Sequence, residues 1–160
     1  MDADIRHAEV EDGEALLELW HAYTAHLAEF DERYRHREEA DDRWLRYFEN
    51  QLVDAKYGTV VVADAGGELV GALEARVTGG HPIFRLADHG SINGFYIRED
   101  HRDGDLARRL LEEAVAWFQG TERGVTFCRV DVLEGDDAFV SDFRELGFEP
   151  VEHVYEKTFE

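Results

Sequence analysis

Residues 102–107 are the segment best suited to chemistry, because they join a strand-like stretch to a helix-like one. Before this turn, Phe95 and Ile97 alternate in the manner of a β-strand. After it, apolar residues recur at helical spacing, namely Leu106, Leu110, Leu111, Ala114 and Phe118. The first turn of a helix presents unpaired backbone N–H groups and the positive end of the helix dipole. A phosphate could therefore bind at this turn.

The turn resembles the acetyl-coenzyme A motif of the GNAT superfamily of N-acetyltransferases, Arg/Gln-x-x-Gly-x-Gly/Ala between a central strand and a long helix. Arg102 matches the first position and Ala107 the last, whereas Asp105 stands where the family usually has glycine. The resemblance implies that the cofactor is acetyl-CoA. It also implies that backbone amides of the turn bind the pyrophosphate, and that the backbone at 95–97 binds the pantetheine arm and the acetyl carbonyl. The cofactor-binding residues it implies are Phe95, Tyr96, Ile97, Arg102, Asp103, Gly104, Asp105, Leu106, Ala107, Arg108 and Phe143.

Two aspartates complicate this turn. Asp103 and Asp105 place carboxylates where they can occupy the N–H donors that a phosphate would use. One interpretation is helix capping, and the other is a phosphate site in which Arg102, Arg108 and Arg109 restore positive charge. Asp105 also adds a Cβ where the family brings the backbone closest to phosphate, which predicts weakened cofactor affinity.

The candidate base departs from the pattern of the resembling family. Many members carry a carboxylate just before the residue that corresponds to Phe95, and this chain has Asn93 and Gly94 there. Asn93 could orient a water or bind the amine but cannot take its proton. His89 and Asp88 are the nearest titratable candidates. The alternative for His89 is an exposed histidine at the start of a strand.

The candidate acid departs from the family as well. Many members place a proton-donating tyrosine four residues before the glycine of a Leu-Gly-Phe segment, and Phe143 stands there in this chain. Tyr155 and Tyr96 are the remaining candidates by topology, each with a packed aromatic residue as the alternative. Because a thiol has a pKa of about 8.5, solvent could also protonate the leaving thiolate. The predicted catalytic residues are thus Asn93, His89 and Tyr155.

The acceptor pocket is expected beside the first two helices and the charged segment between them. Glu29, Asp31 and Tyr34 are the predicted substrate-binding residues, and a solvated loop is the alternative. Aromatic residues at helical spacing are more typical of a core than of a ligand pocket; they are Trp20, Tyr23, Trp44 and Phe48. The histidines lack a ligand spacing such as His-x-x-x-His, so no metal is predicted.

The order of periodic segments predicts one α/β domain over residues 1–160. Strand patterns fall at 5–8, 59–63, 69–77, 95–97, 126–133 and 151–159, and helix patterns at 12–27, 41–52, 106–119 and 136–146. This order is similar to the GNAT fold. The resemblance implies a central mixed, largely antiparallel sheet of six or seven strands, splayed at its centre, with about four helices on both faces.

The charge is strongly negative, since 37 Asp+Glu against 17 Lys+Arg give a formal net charge of -20. Nucleic acid and anionic membranes are therefore not expected as partners. A salty cytosol explains the acidity, because at about 1 M salt the Debye length is only about 3 Å; steering of cationic amines is the alternative. We expect a cytoplasmic protein from a halophilic source. Cys128 is the only cysteine, which excludes a disulfide framework.

The sequence therefore predicts an acetyl-CoA dependent N-acetyltransferase that acts by direct transfer on a primary amine, either a small molecule or a protein amino group. The alternative is a GNAT-fold protein that binds an acyl-CoA or a partner without turnover, because Asp105, Asn93 and Phe143 depart from the family's chemistry. Dimerisation is common in the resembling family, so a homodimer is left open. The sequence does not specify the amine.

Overall fold

The computed structural model describes residues 3–102 and 104–160. The strands are β1 (Asp4–His7), β2 (Gly58–Ala65), β3 (Glu68–Thr78), β4 (His89–Ile97) and β5 (Cys128–Val130). The helices are α1 (Gly13–Ala28), α2 (Asp41–Tyr47), α3 (Leu106–Gly120) and α4 (Asp137–Glu145), and a π-helical segment (Phe48–Val53) continues α2. No helix within these described ranges is both long and apolar enough to cross a bilayer.

The strands form one sheet in the order β1-β2-β3-β4-β5. The first three neighbouring pairs are antiparallel and the last, β4 with β5, is parallel. The prediction of a mixed, largely antiparallel sheet is thus confirmed. The predicted number of six or seven strands is wrong, because the described chain forms a 5-stranded sheet and residues 151–159 have no sheet partner within it.

The hairpin between β2 and β3 follows from its two glycines. Gly66 and Gly67 have φ values of 65° and 99°, in the left-handed region that most side chains avoid. Two successive positive φ values give a tight turn whose twist matches that of the flanking strands. The sequence Gly66-Gly67 therefore fixes the register in which β3 returns along β2.

Helices cover both faces of the sheet, as predicted, because β2 and β3 alternate apolar residues to each side. One face packs against α1 and the π-helical segment; its buried residues are Leu16, Leu19, Phe48, Leu52, Val60, Val62 and Leu69. The opposite face packs against α3 and α4, with a buried core that includes Val61, Ala63, Leu73, Ala75, Leu110, Ala114, Phe118 and Phe143. The sheet is therefore the middle layer of the domain.

Gly90 of β4 is where α3 approaches this sheet most closely. A Cβ on Gly90 would lie 2.5 Å from Cζ of Phe118, a buried ring that cannot retreat into solvent. We expect Gly90→Ala to reduce the free energy of unfolding by about 1–3 kcal/mol through overpacking, as measured by urea denaturation. The control is Gly120→Ala, whose Cβ would meet nothing within 4 Å. Equal stability of the two variants would contradict this account.

Candidate active site

The parallel pairing of β4 with β5 is short, and this opens a gap in the sheet. The Cα partners run only from Gly90↔Cys128 to Ile92↔Val130, although β4 continues to Ile97. Beyond Ile92, β4 has no pairing to β5 in the described chain. The separation therefore lies between the last two strands of the described sheet, at its edge and not at the centre where the splay was expected.

The backbone of β4 directs hydrogen-bonding groups into this gap. Arg98 N donates to Val70 O of β3 at 2.9 Å. Because successive residues of a strand point their N–H and C=O groups to opposite sides, those of Phe95 and Ile97 point away from β3. These main-chain groups face the open edge. The backbone at Phe95 and Ile97, two of the predicted cofactor-binding residues, is thus placed to bind an extended ligand arm.

The N-terminus of α3 lies just beyond β4, and its Asp105 does not cap the helix. No side-chain cap bond is formed by Asp105, and its Oδ2 instead accepts a bond from Arg108 Nη2 at 2.9 Å. The first-turn N–H groups are therefore not occupied by this carboxylate, so capping is not the role of Asp105. Gly104 is exposed, with open space where a Cβ would be. The predicted cofactor-binding residue Asp103 lies outside the described residues.

The three arginines near this turn have different partners. Arg102 Nε donates to Ile97 O at 2.7 Å, and its guanidinium lies 5.1 Å from the ring centroid of Tyr96, so Arg102 borders the gap. Arg108 also pairs with Glu112, Nη1 to Oε1 at 2.7 Å. Arg109 Nη2 donates to Ala3 O at 2.9 Å, which ties α3 to the start of β1. Arg102 is therefore the arginine of this group best placed for a ligand in the gap.

A narrow aromatic pocket lies between α1, α2 and the β3–β4 pair. Its wall contains Trp20, Tyr23, Trp44, Phe95 and Tyr96, and its free volume is about 40 Å³. Since a buried water needs roughly 10–15 Å³ on this measure, the pocket has room for about three heavy atoms. The narrow part of the pocket therefore suits the end of a chain. Trp20, Tyr23 and Trp44, which were expected in the core, line this pocket, and Trp44 also packs against the core that contains Phe48.

Glu74 of β3 is the one charged side chain that lines this pocket among the described residues. It is only 7% exposed. Tyr47 Oη donates to Glu74 Oε2 at 2.8 Å. Burial raises the pKa of Glu74 above its ordinary value, and the neighbouring Tyr47 hydroxyl, Asn93 amide and Arg76 charge offset part of this effect. A buried carboxylate with a raised pKa in a cleft is a strong candidate for a functional group.

Asn93, a predicted catalytic residue, forms a β-bulge beside Glu74. Glu74 pairs with Gly94 and Ala75 pairs with Ile92, so Asn93 is an extra residue on β4. Bulges redirect side chains and are frequent next to active sites. Gly94, the next residue, lines the pocket. The bulge thus brings the backbone of β4 to the pocket beside the carboxylate.

The other predicted catalytic residues lie away from this pocket. His89 is buried at the start of β4, where its Nδ1 lies 2.9 Å from Ala87 O and its ring stacks on Phe127. Five strand residues separate His89 from Gly94, a distance of about 16 Å. Tyr155 lies on the exposed C-terminal segment. Phe143 is buried against Phe95, with ring centroids 5.8 Å apart, and its ring forms part of the core.

The predicted substrate-binding residues also lie outside the pocket lining. Glu29 and Tyr34 are exposed beyond the end of α1. Asp31 pairs with Arg33, Oδ2 to Nη2 at 2.7 Å, and its Oδ1 accepts the Arg33 N–H. This salt bridge lowers the pKa of Asp31. The segment after α1 is therefore a surface loop with local ion pairs.

A histidine cluster borders the pocket through Trp20. His21, His36 and Asp41 bring potential ligand atoms within 4.8 Å of one another, and the Nε2 atom of each histidine lies 2.9 Å from Asp41 Oδ1. Trp20 Nε1 donates to His36 Nδ1 at 3.0 Å, so neutral His36 carries its proton on Nε2. A metal cation bound to Nε2 of His36 would leave the proton of the neutral ring on Nδ1. That N–H would then point at the indole N–H of Trp20, and the hydrogen bond between them would be lost. The cluster is therefore a set of linked hydrogen bonds that holds Trp20 in place. The absence of a metal stays a prediction.

Sequence reasoning missed Glu74, although one signal for it exists. The run Leu69 to Val77 reads as a strand with apolar residues on both sides of Glu74. A lone carboxylate in a strand that is buried on both faces needs a partner or a function. The aromatic wall was missed because helical spacing does not distinguish a core from a narrow cavity beside it.

Comparison with known proteins gives the family. Residues 16–148 match the model of the Acetyltransferase (GNAT) family. No protein among the curated ones matches. The chain belongs to the GNAT acetyltransferase family, whose members use acyl-CoA.

Solved structures share the fold at low sequence identity. AAC(6')-Iy in complex with the bisubstrate analog CoA-S-monomethyl-acetylneamine has a TM-score of 0.74 and 17% identity, over 100% of this chain and 99% of that chain. The aminoglycoside antibiotic 6'-N-acetyltransferase AAC(6')-IG from Acinetobacter haemolyticus has a TM-score of 0.73 and 20% identity, over 98% of each chain. The ribosomal-protein-alanine N-acetyltransferase from Brucella melitensis biovar Abortus 2308 has a TM-score of 0.69 and 16% identity, over 99% of this chain and 100% of that chain.

The raised pKa of Glu74 has a consequence for stability. A carboxyl whose pKa is higher in the folded than in the unfolded state stabilises the fold at low pH, and this contribution is lost as the pH rises through the folded-state pKa. We expect Glu74→Gln to raise the Tm at pH 7–8, because it removes a buried charge and keeps an acceptor for Tyr47. The gain should disappear towards pH 4.

Calorimetric melting curves across this pH range measure the effect. Glu68→Gln, at an exposed position of the same strand, is the control for the loss of one negative charge. A Tm for Glu74→Gln that falls below that of the control at pH 8 would contradict the assignment of a destabilising buried charge.

Proposed function

We propose that this protein is an acetyl-CoA dependent N-acetyltransferase for the slender primary-amine end of a small cationic molecule. The observation that carries the proposal is the buried Glu74, in an aromatic pocket that adjoins the open edge of β4. AAC(6')-Iy, which shares this fold, forms a complex with a bisubstrate analog of CoA and an acetylated amine, and this supports a CoA-dependent transfer to an amine. The setting we propose is a salt-rich cytoplasm, in keeping with the net charge of -20.

The residues present fit the cofactor. The backbone of Phe95 and Ile97 faces the gap, and Asp105 turns its carboxylate towards Arg108, away from the first-turn amides of α3. We infer that these amides hold the diphosphate, as helix N-termini do for other phosphates. Bound acetyl-CoA would supply an activated acetyl thioester. The N–H group of Phe95, which lies beside the pocket, would donate to its carbonyl oxygen as negative charge develops there, and the N–H group of Ile97 would donate to the pantetheine arm.

The pocket selects the acceptor by size, charge and polarity. A free volume of about 40 Å³ accepts an ammonium with one or two methylene groups. The faces of Trp20, Tyr23, Trp44 and Tyr96 attract a cation through their quadrupoles. The carboxylate of Glu74 then provides the charge partner. These properties favour a slender primary amine over a bulky secondary amine.

Glu74 acts as the base in this proposal. An ammonium must lose a proton before its nitrogen can attack, and an efficient base has a pKa near the working pH. Burial raises the pKa of Glu74 in that direction. The Tyr47 hydroxyl binds Oε2 and orients the carboxylate towards the acceptor. Glu74 therefore takes over the role that the sequence assigned to the region of Asn93 and His89.

Tyr23 of the pocket and Tyr47 beside Glu74 stay protonated. Burial, followed by the nearby charges of Glu74, Asp131 and Asp136, raises the pKa of Tyr23 to about 12. Burial and Glu74 likewise raise the pKa of Tyr47 to about 12. Both hydroxyls are therefore hydrogen-bond donors at physiological pH. Tyr47 is bonded to Glu74, so Tyr23, which lines the pocket, is the candidate proton donor for the departing thiolate in this scheme.

Substitution of the base tests the reaction. We expect Glu74→Gln to lower kcat/KM for the amine by about 10²- to 10⁴-fold, the range for loss of general-base catalysis, and to leave the dissociation constant for CoA unchanged. Thiol release, measured with a panel of primary and secondary amines, gives kcat/KM. Glu68→Gln serves again as the charge-matched control. Equal activity of the two variants would overturn the role of Glu74, and CoA binding without turnover of any amine by the native chain would favour a non-catalytic binder.

Neutralisation of Asp105 tests the diphosphate site. We expect Asp105→Asn to tighten CoA binding by several-fold at low salt, because a negative charge is removed beside a bound anion at a helix N-terminus. The gain should shrink at about 1 M salt, where the Debye length is about 3 Å. Isothermal titration calorimetry with CoA measures it. Asp137→Asn, at the start of α4, is the control, and weaker binding by Asp105→Asn would mean that its bond to Arg108 shapes the site.

A further inference from the structure

His36 connects the charged segment after α1 to the aromatic pocket. The two short 3-10 turns around it, Glu32–Tyr34 and Glu38–Ala40, contain no buried residue. The His36 side chain, in contrast, is only 7% exposed. A polar ring that leaves water in an otherwise solvated loop needs hydrogen-bond partners in the domain. Those partners show what this segment contributes to the pocket.

The imidazole of His36 has one partner on each nitrogen. Trp20 Nε1 donates to Nδ1 at 3.0 Å, and Nε2 lies 2.9 Å from Asp41 Oδ1 at the start of α2. An indole N–H only donates, so the neutral ring accepts at Nδ1 and donates from Nε2 to the carboxylate. Two hydrogen bonds in series therefore join Trp20 to Asp41. His21 Nε2 lies 2.9 Å from the same carboxylate oxygen.

The indole of Trp20 extends from His36 to the proposed base. Its Nε1 end bonds to His36, and Cζ3 of its six-membered ring lies against the β4 bulge. A Cβ placed on Gly94 would lie 3.5 Å from this Cζ3 atom and 4.0 Å from Cβ of Glu74. Because the indole is rigid, the hydrogen bond at one end fixes the position of the other end beside Glu74.

The rings around Trp20 hold it less strictly than this hydrogen bond. The ring centroid of Trp20 is 5.6 Å from that of Tyr23 and 5.9 Å from that of Trp44, with interplanar angles of 51° and 32°. Tilted ring contacts are compatible with a range of offsets, whereas a hydrogen bond is directional. On the side of the cavity, Trp20 has no packed wall to stop it. The bond to His36 therefore sets where the indole lies.

We propose that His36 is the positioning residue that makes Trp20 the cation-binding face of the acceptor pocket. This inference rests on the proposed function, since it takes the pocket beside Glu74 as the acceptor site. His36 holds the six-membered ring where an ammonium paired with Glu74 meets the ring face. It also links the indole N–H to the negative charge of Asp41. Linked hydrogen bonds polarise one another, so this chain makes the face of Trp20 more attractive to a cation.

Two isosteric substitutions separate the two bonds of the His36 ring. Asn places its side-chain oxygen where Nδ1 was, so His36→Asn keeps an acceptor for Trp20 and loses the bond to Asp41. Gln places its side-chain nitrogen near Nε2, so His36→Gln keeps the bond to Asp41 and loses the acceptor. If His36 positions Trp20, the Asn variant should resemble the native chain more closely. If His36 only attaches the loop to α2, the order should be reversed.

Propylamine binding without cofactor, followed through the indole N–H signals in NMR spectra, measures the effect. The chain has three tryptophans, and Trp20→Phe identifies the Trp20 signal. We expect His36→Gln to move this signal upfield and to raise the Kd for propylamine about 3- to 10-fold, the range for loss of one hydrogen bond. His36→Asn should stay within about twofold of the native Kd. Equal Kd values for the native and Gln proteins, or weaker binding by Asn than by Gln, would overturn the positioning role.

A control and a charge variant complete the binding experiment. His21→Gln changes the other histidine on Asp41 and should leave the Kd for propylamine unchanged. Asp41→Asn keeps an oxygen that accepts from His36 but removes the charge at the end of the chain. We expect it to bind propylamine about twofold more weakly than Asp42→Asn, an exposed neighbour with the same change of charge. Equal binding by these two variants would overturn the polarisation of Trp20.

Acetyl transfer to propylamine separates this inference from the proposed function. His36→Gln should raise KM and leave kcat within about twofold, because it weakens amine binding and leaves Glu74 in place. In a Trp20→Phe background it should have little further effect, because both substitutions remove the same bond. Turnover with an unchanged KM in His36→Gln would overturn the positioning role and leave the proposed function standing. Propylamine binding in the expected order, without turnover of any amine by the native chain, would do the opposite.

Discussion

The early end of the parallel pairing between β4 and β5 is the constraint on which the rest of the site depends. Pairing stops at Ile92↔Val130 while β4 continues, so a row of main-chain donors and acceptors is left open in the middle of a folded domain. A complete sheet would have used those groups internally. The bulge at Asn93 lies at the same point and redirects β4 beside Glu74. The edge proposed for the cofactor and the pocket proposed for the acceptor therefore have one structural origin.

Glu74 conflicts with the packing rules that the rest of β3 obeys. Its neighbours Leu73 and Ala75 are fully buried in an apolar core, and a carboxylate between them lowers stability at neutral pH. Proteins keep such conflicts mainly where function needs them. The Tyr47 hydroxyl lessens the cost and orients the carboxylate. The burial of the Glu74 carboxylate therefore both lowers the stability of the fold at neutral pH and raises the pKa that the proposed base requires.

Periodicity was sufficient to predict the order of helices and strands, because apolar repeats and glycine turns are local properties. It was also sufficient for the strand, turn and helix from Phe95 to Ala107, since that motif is continuous in sequence. Glu74 could not be placed, because its role depends on the register of β3 with β4 and on Trp20 and Trp44 from two helices. The sequence also could not predict which way the Asp105 side chain points. An aspartate at this position can either cap the helix or pair with Arg108, and both interactions are compatible with the same residues. Residues 151–159 have the alternation of a strand but no sheet partner in the described chain, and periodicity specifies alternation without specifying a partner.

The exposed apolar residues of the C-terminal segment at residues 149–160 are a hazard, because extended segments can stack into fibres. In such a stack, each residue would lie about 4.8 Å above its own copy. Glu152, Glu156 and Glu160 recur every four residues along one side of this segment. Stacking would align these glutamates into ladders of like charge, which opposes the growth of a fibre most strongly at low salt.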